Sequence, residues 1–369
     1  MTSTLTKIED LVICRDDDYN SFPNIVKRQD GSMLAVFRQA PDRRRTFGHN
    51  IHIDPSSRVV SIASNDEGKT WSAPSVLYDD FLYGIQDPCL NLLSDGTLFC
   101  TFFTWQVLLP EDVPAFNPAT YDRRIKDKWV ARLGGAYSIR STDGGATWDD
   151  PLPITSPAGG VQARNVRGNA VELEDGTILL PMYVRTPDSS SAVLAVTRDR
   201  GRTWEQRSVI ADAGELWFHE PNLYRTPSGK LIALLRTTDR REGVSEERRH
   251  PLYTCESYDN GLTWSVFTGH PIYSMSPFHL LRLASGRTLL TYGYRLPPYG
   301  IRALILNSEC TDWETAPETI VRVDGPNKDI GYTCSVQADN GDIVVMYYYA
   351  DEPGGLCYIA ASRLIEYEH

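Results

Sequence analysis

Arginine, tyrosine and carboxylate recur in this sequence at the edges of apolar runs. Arg38, Arg167, Arg236 and Arg295 stand at such edges, as do Asp87, Glu220, Asp329, Tyr332 and Tyr348. A guanidinium presents a planar fork of donors that grips an anionic group through paired hydrogen bonds. A phenol of pKa ~10 is a weak nucleophile alone, and a nearby carboxylate lowers the cost of removing its proton. Each candidate also has a structural alternative. Arginines and carboxylates can bridge neighbouring sheets, and a tyrosine can simply pack. A second cluster lies in Thr46-Phe47-Gly48-His49-Asn50-Ile51-His52-Ile53-Asp54-Pro55. His49 and His52 offer groups near neutral pKa that could give or take a proton, beside the Asp54 carboxylate. Their spacing matches no strong zinc signature, and no metal or cofactor is expected.

Two interleaved repeats position these residues. The frame Ser/Thr-x-Asp-x-Gly-x-Thr-Trp occurs at 64–71, 141–148, 197–204 and 257–264, with a worn copy ending at Trp313. Asp binds turn N–H groups, Gly takes a positive φ, and Trp fills the gap behind the turn. Between these copies, Asp30-Gly31, Asp95-Gly96, Asp175-Gly176, Ser228-Gly229, Ser285-Gly286 and Asn340-Gly341 each separate two β-rich runs, a strong hairpin signal. Six hairpins, five of them followed by a tryptophan-tipped hairpin, predict an all-β, six-bladed propeller of four-stranded antiparallel blades in one domain over 1–369. The last unit is a strand short, so residues 11–14 are expected to complete it and remove a free edge. An insertion at 106–132 in the second unit, with Pro110, Pro114 and Pro118, is expected to overhang one face.

In such a ring, residues before each first strand and after each second strand converge on the axis. That reading gathers Arg38, Asp87, Arg167, His219, Glu220, Arg236, His279, Arg295, Asp329, Tyr332 and Tyr348. The polarity is informative, because most core-facing strand ends are apolar.

The tryptophan hairpins resemble the Asp-boxes of sialidases (neuraminidases), whose catalytic domain is a six-bladed propeller. Phe218-His219-Glu220-Pro221-Asn222 resembles the sialidase segment that carries the catalytic glutamate, and Arg236 takes the place of a substrate-binding arginine. Ile330-Gly331-Tyr332-Thr333 is similar to the segment with the catalytic tyrosine. Arg295 matches another triad arginine, with Arg302 as the rival. The resemblance implies Tyr332 as nucleophile, Glu220 as its base, and Asp54 or Asp87 as the acid. It breaks at Ser21-Phe22-Pro23, where sialidases carry Arg-Ile-Pro, and at Tyr347-Tyr348-Tyr349, where they carry a bracing glutamate. The missing arginine makes Arg38 its candidate substitute. The pattern implies an exo-acting glycoside hydrolase for an anionic or deoxy sugar other than ordinary sialic acid, with Arg167, His49, His52 and His219 as further sugar contacts. A polysaccharide lyase acting on uronate glycans and a non-catalytic carbohydrate-binding propeller are the alternatives.

Composition narrows the partners. A net charge of −11 leaves no broad basic field for nucleic acid. No apolar run approaches the roughly 18 residues of a membrane-spanning helix. Seven scattered cysteines read as reduced, buried thiols, and the first residues hold no apolar signal core. A cytoplasmic protein is the expectation, a trimmed secretory signal being compatible with it.

Overall fold

The computed structural model of the chain describes residues 3–113, 122–154 and 165–368. Six antiparallel sheets carry nearly all of its regular structure, and among the described residues α-helix is limited to Arg44–Phe47. The inner strands, in chain order, are Asp18–Lys27, Gly84–Leu92, the broken pair Asn165–Val166 and Val171–Glu172, Leu216–Arg225, Phe278–Arg282 and Gly331–Gln337. Each inner strand abuts the neighbouring blades, the first against the sixth included, so the sheets close into a ring. Position in the blade explains burial. Gly84–Leu92 is buried along nearly its whole length, whereas the outermost strand of the first blade, Ser75–Tyr78, is exposed or half-buried. The first is covered on both faces by neighbouring blades; the second has one edge in water.

The sixth blade is built from both ends of the chain. Gly331–Gln337, Ile343–Tyr349 and Tyr358–Glu368 are joined by Ser3–Cys14, which pairs along Tyr358–Glu368 from Ser3↔Glu368 to Cys14↔Ile359. The closing strand is thus longer than residues 11–14. Among its described residues, the insertion in the second blade extends the strand pairing of that blade. Leu98–Leu108 pairs with Trp129–Ser141 as far out as Leu108↔Val130, and Asp122–Ile125 adds a short further strand. Residues 114–121, with Pro114 and Pro118, lie outside the described residues.

The tryptophan hairpins lock each blade to the one before it. In the first copy, Asp66 accepts hydrogen bonds from the Thr70 N–H at 2.9 Å and the Thr70 hydroxyl at 2.6 Å, and Gly68 N–H donates to Ser64 Oγ. The Thr70 hydroxyl is the largest influence holding the Asp66 carboxyl down at about 2. The glycines sit at φ +79°, +97°, +83° and +79°. A Cβ there would press on the preceding blade: Val344 at Gly68, Leu34 at Gly145, Phe99 at Gly201 and Leu194 at Gly261. Trp204, 3% exposed, packs across the same seam against Phe99 and donates its indole N–H to Gly201 O at 3.2 Å. Trp204→Ala should therefore destabilise the protein by about 3–5 kcal/mol, read as a lowered midpoint in urea denaturation. An unchanged midpoint would show that this seam contributes little.

Candidate active site

The axial site is built by a device that four blades repeat. At the start of the inner strand the pairing skips, between Ser21 and Asn24, Gln86 and Cys89, His219 and Asn222, and Gly331 and Cys334. At each skip one non-glycine residue takes a left-handed backbone: Phe22 (φ 56°), Asp87 (φ 50°), Glu220 (φ 41°) and Tyr332 (φ 54°). Such bulges re-aim a side chain at a cost in backbone strain, and they cluster at functional sites. Three of the four carry ionisable groups and the fourth carries Phe22.

Tyr332, Glu220 and Arg236 form one bonded cluster. The Tyr332 hydroxyl donates to Glu220 Oε1 at 2.6 Å and accepts from Arg236 Nη1 at 3.1 Å, while Arg236 Nη1 also donates to Glu220 Oε2 at 2.5 Å. Burial alone would raise the Glu220 carboxyl, but Arg236 and the bonds from Tyr332 and Arg236 bring it below its ordinary value. Burial, and then the Glu220 charge, push the Tyr332 phenol well above its ordinary value. The resting state is a neutral phenol poised against an ionised base. Asp87, 2% exposed, is raised to about 7, first by burial and then by the Glu220 charge. It is the carboxyl that still holds a proton near neutrality.

The remaining arginines divide by what they already bind. Arg167 donates to Pro23 O and Pro88 O, both at 2.9 Å, and its guanidinium lies 5.3 Å from the Tyr332 ring centroid. It ties two of the bulges together beside the tyrosine. Arg295 donates to Ile330 O at 2.8 Å and to the Tyr348 hydroxyl at 2.5 Å. Tyr348 in turn donates to Asp329 at 3.0 Å, and His52 Nε2 lies 2.8 Å from the same carboxylate. Burial works against the Asp329 charge, yet His52, Arg295 and Tyr348 hold its carboxyl well below the usual range. Asp329, which also receives the Tyr19 hydroxyl at 3.2 Å, is the hub linking the axis to the first-blade loop.

Arg38 differs from all of these. It is fully buried opposite Ser21, and among the described residues its Nε, Nη1 and Nη2 have no hydrogen-bond partner, nor does Ser21 Oγ. Its surroundings are Tyr19, Asp54, Asp87 and Asp329, whose charges partly offset the downward pull of burial on its pKa. A buried guanidinium without a bonded partner is costly unless something else engages it.

Three candidates are engaged otherwise or lie elsewhere. Asp54 is 2% exposed but is held by Arg43 Nε at 2.8 Å and by the Ser56 N–H at 2.8 Å, so its own loop occupies the carboxylate. Arg302 lies on Gly300–Leu306, the third strand of its blade and away from the axis, where it donates to Arg322 O and pairs with Glu318 at 3.5 Å. His279 lines a separate cavity of about 610 Å³ with Lys27, Asn91 and Gln337, residues at the far ends of the inner strands. His219 does border Glu220, but burial and then Arg236 depress it to about 3, so it is a neutral ring beside the Ser190 hydroxyl. His49 is exposed and rests on the Asn50 carbonyl at 2.6 Å. Sequence reading put Phe22 at the axis only as part of Ser21-Phe22-Pro23, and it missed the left-handed bulge there and the hub role of Asp329. The signal for the bulges was present, since Phe22, Asp87 and Glu220 all precede proline.

The family described as BNR repeat-like domain matches residues 119–345. The chain belongs to this BNR repeat-like family. A curated sialidase from Bacteroides fragilis (strain YCH46) is 24% identical over 234 residues, covering 58% of this chain and 35% of the relative. The chain thus spans about a third of that sialidase. A crystal structure of a protein of unknown function from Dyadobacter fermentans DSM 18053 is 35% identical, covers 98% of this chain and 99% of its own, and superposes with a TM-score of 0.86. The intramolecular trans-sialidase from Ruminococcus gnavus, solved with oseltamivir carboxylate, is 13% identical over 94% of each chain, with a TM-score of 0.64. The BNR repeats here make a sialidase-like propeller.

Proposed function

We propose that this chain is an exo-acting glycoside hydrolase that holds a terminal anionic sugar in the axial site. The observation that carries the reading is the Tyr332–Glu220–Arg236 cluster, in which one phenol hydroxyl faces an ionised carboxylate at 2.6 Å. Tyr332 attacks the anomeric carbon as its proton passes to Glu220, and Arg236 stabilises the charge that moves between them. Asp87 gives its proton to the leaving oxygen. Its carboxylate then activates the water that hydrolyses the glycosyl-tyrosine bond, so the anomeric configuration is retained. The sialidase name of the Bacteroides relative supports an acidic sugar. The loss of the Arg-Ile-Pro arginine, with Phe22 in the adjoining bulge, supports a sugar other than ordinary sialic acid.

Arg38 is the proposed anchor for the sugar's anionic group, since its side-chain donors have no partner among the described residues. The test is a panel of uronate, ulosonate and neutral deoxy-sugar glycosides, with products followed by proton NMR. Release of an acidic sugar with retained configuration is expected. An unsaturated uronate product would instead establish β-elimination, and no product from any glycoside would leave only binding. In Arg38→Met, KM for the acidic substrate should rise by about 10²-fold, from the loss of charge-assisted bonds. The free variant should unfold at equal or higher urea, because an unpaired buried charge is gone.

A further inference from the structure

Beside the axial site lies a second cavity, of about 320 Å³, between the first-blade loop and the second-blade insertion. Phe47, His49, His52, Arg123, Arg124 and Lys126 are among its lining residues. Lys126 straps the two walls together by donating to Thr46 O and lying 5.2 Å from the Phe47 ring centroid. Arg123 and Arg124 are exposed, and neither has an ion-pair partner among the described residues. Two adjacent unpaired guanidiniums in a chain of net charge −11 concentrate positive field where the rest of the molecule is acidic.

The cavity wall touches the axial cluster through one residue. His52 lines it, lies 2.8 Å from Asp329, and meets the Phe22 ring edge-on at 5.2 Å between centroids. Phe22 in turn lies against Tyr332, with centroids 4.6 Å apart. The cavity is therefore two ring contacts from the Tyr332 phenol, a separation the next residues of a glycan can cover. We infer that this cavity is a leaving-group subsite for a sugar residue bearing an oxyanion, sulfate or carboxylate. The inference rests on the hydrolase reading for its place in the substrate, and on the cavity's own charge for its ligand. It predicts that the substrate is a polyanionic glycan, acidic on both sides of the scissile bond.

The experiment measures binding to Glu220→Gln protein, with Arg123→Ser/Arg124→Ser added in a second sample. The probes are a chondroitin sulfate tetrasaccharide, a hyaluronan tetrasaccharide carrying carboxylates only, and neutral chitotetraose. The acidic probes should bind with an affinity that falls as salt rises, and the double substitution should weaken them by about tenfold, as expected for two exposed charge contacts. Chitotetraose binding should not change. Whichever acidic probe shows the larger loss identifies the oxyanion. In an otherwise unaltered protein, the double substitution should leave turnover of a small aryl glycoside, which does not reach the cavity, unchanged. Equal affinities with and without the double substitution would overturn the subsite while leaving the hydrolase reading intact. Arginine-dependent binding of acidic probes by a protein that cleaves no glycoside would keep the subsite and remove the hydrolase.

Discussion

Glu220→Gln should lower kcat by about 10³-fold or more on the glycoside that wild type cleaves, with the fold retained. The phenol it serves lies well above its ordinary pKa, because burial and the Glu220 charge both oppose phenolate formation. Attack therefore requires the proton to leave as the new bond forms, and the acceptor is 2.6 Å away at Glu220 Oε1. Glutamine has nearly the same shape, and its amide oxygen still accepts from Arg236, but it cannot take that proton. Alanine would be a poorer probe. It would leave Arg236 buried without its counter-charge, a loss on the order of 3–5 kcal/mol that would confuse folding with chemistry. Tyr332→Phe should match the loss in kcat, since the two residues act as a unit. The readouts are initial rates, with circular dichroism and a melting curve for the fold. Near-normal turnover in Glu220→Gln would exclude Glu220 as the base.

The second large effect is in pH. With Asp87 as the acid, kcat/KM should fall on the alkaline side as pH rises through about 7, the value to which burial and then Glu220 raise it. Asp87→Asn should remove that limb and lower the plateau by about 10²–10³-fold. The same shift has a consequence for stability. Because the folded protein holds this proton more tightly than the unfolded chain, the stabilisation is fully present below the ordinary carboxylate range. It is lost as pH rises through about 7. Asp87→Asn cannot undergo that loss. Relative to wild type it should gain stability between pH 5 and pH 8 by on the order of a few kcal/mol, measured by urea denaturation at both values. A pH-independent difference would mean that Asp87 is already ionised in the folded protein, and the acid would have to be sought elsewhere.

How much of this was legible in the sequence depended on whether a feature repeats. The tryptophan hairpins announce themselves four times, and each copy carries its own bonding logic in Ser/Thr, Asp, Gly and Thr. With the six two-residue turns between them, they imply the six blades. Glu220, Arg236 and Tyr332 were recognisable from local segments and do meet, across 112 residues of chain between Tyr332 and Glu220. The finer choices were not legible, because they depend on registers that spacing does not specify. His279 pairs with Thr291, well before Arg295 on the same strand pair, and so sits toward the opposite mouth. Asp54 and Asp87 were indistinguishable as carboxylates near strand ends. Only coordinates show that Arg43 occupies one while the other is buried against Glu220.

The closure of the sixth blade has a consequence for how the molecule is made. Ser3–Cys14 lies along Tyr358–Glu368, so the propeller's first strand finds its partner only after the propeller's last strand has been made. Until then the nascent protein is an open arc with an unpaired strand edge at each end, the form most prone to joining another chain. Residues so far apart meet at a large cost in loop-closure entropy, and contacts of this range slow folding. Annealing of the two termini is therefore the step at which assembly competes with aggregation.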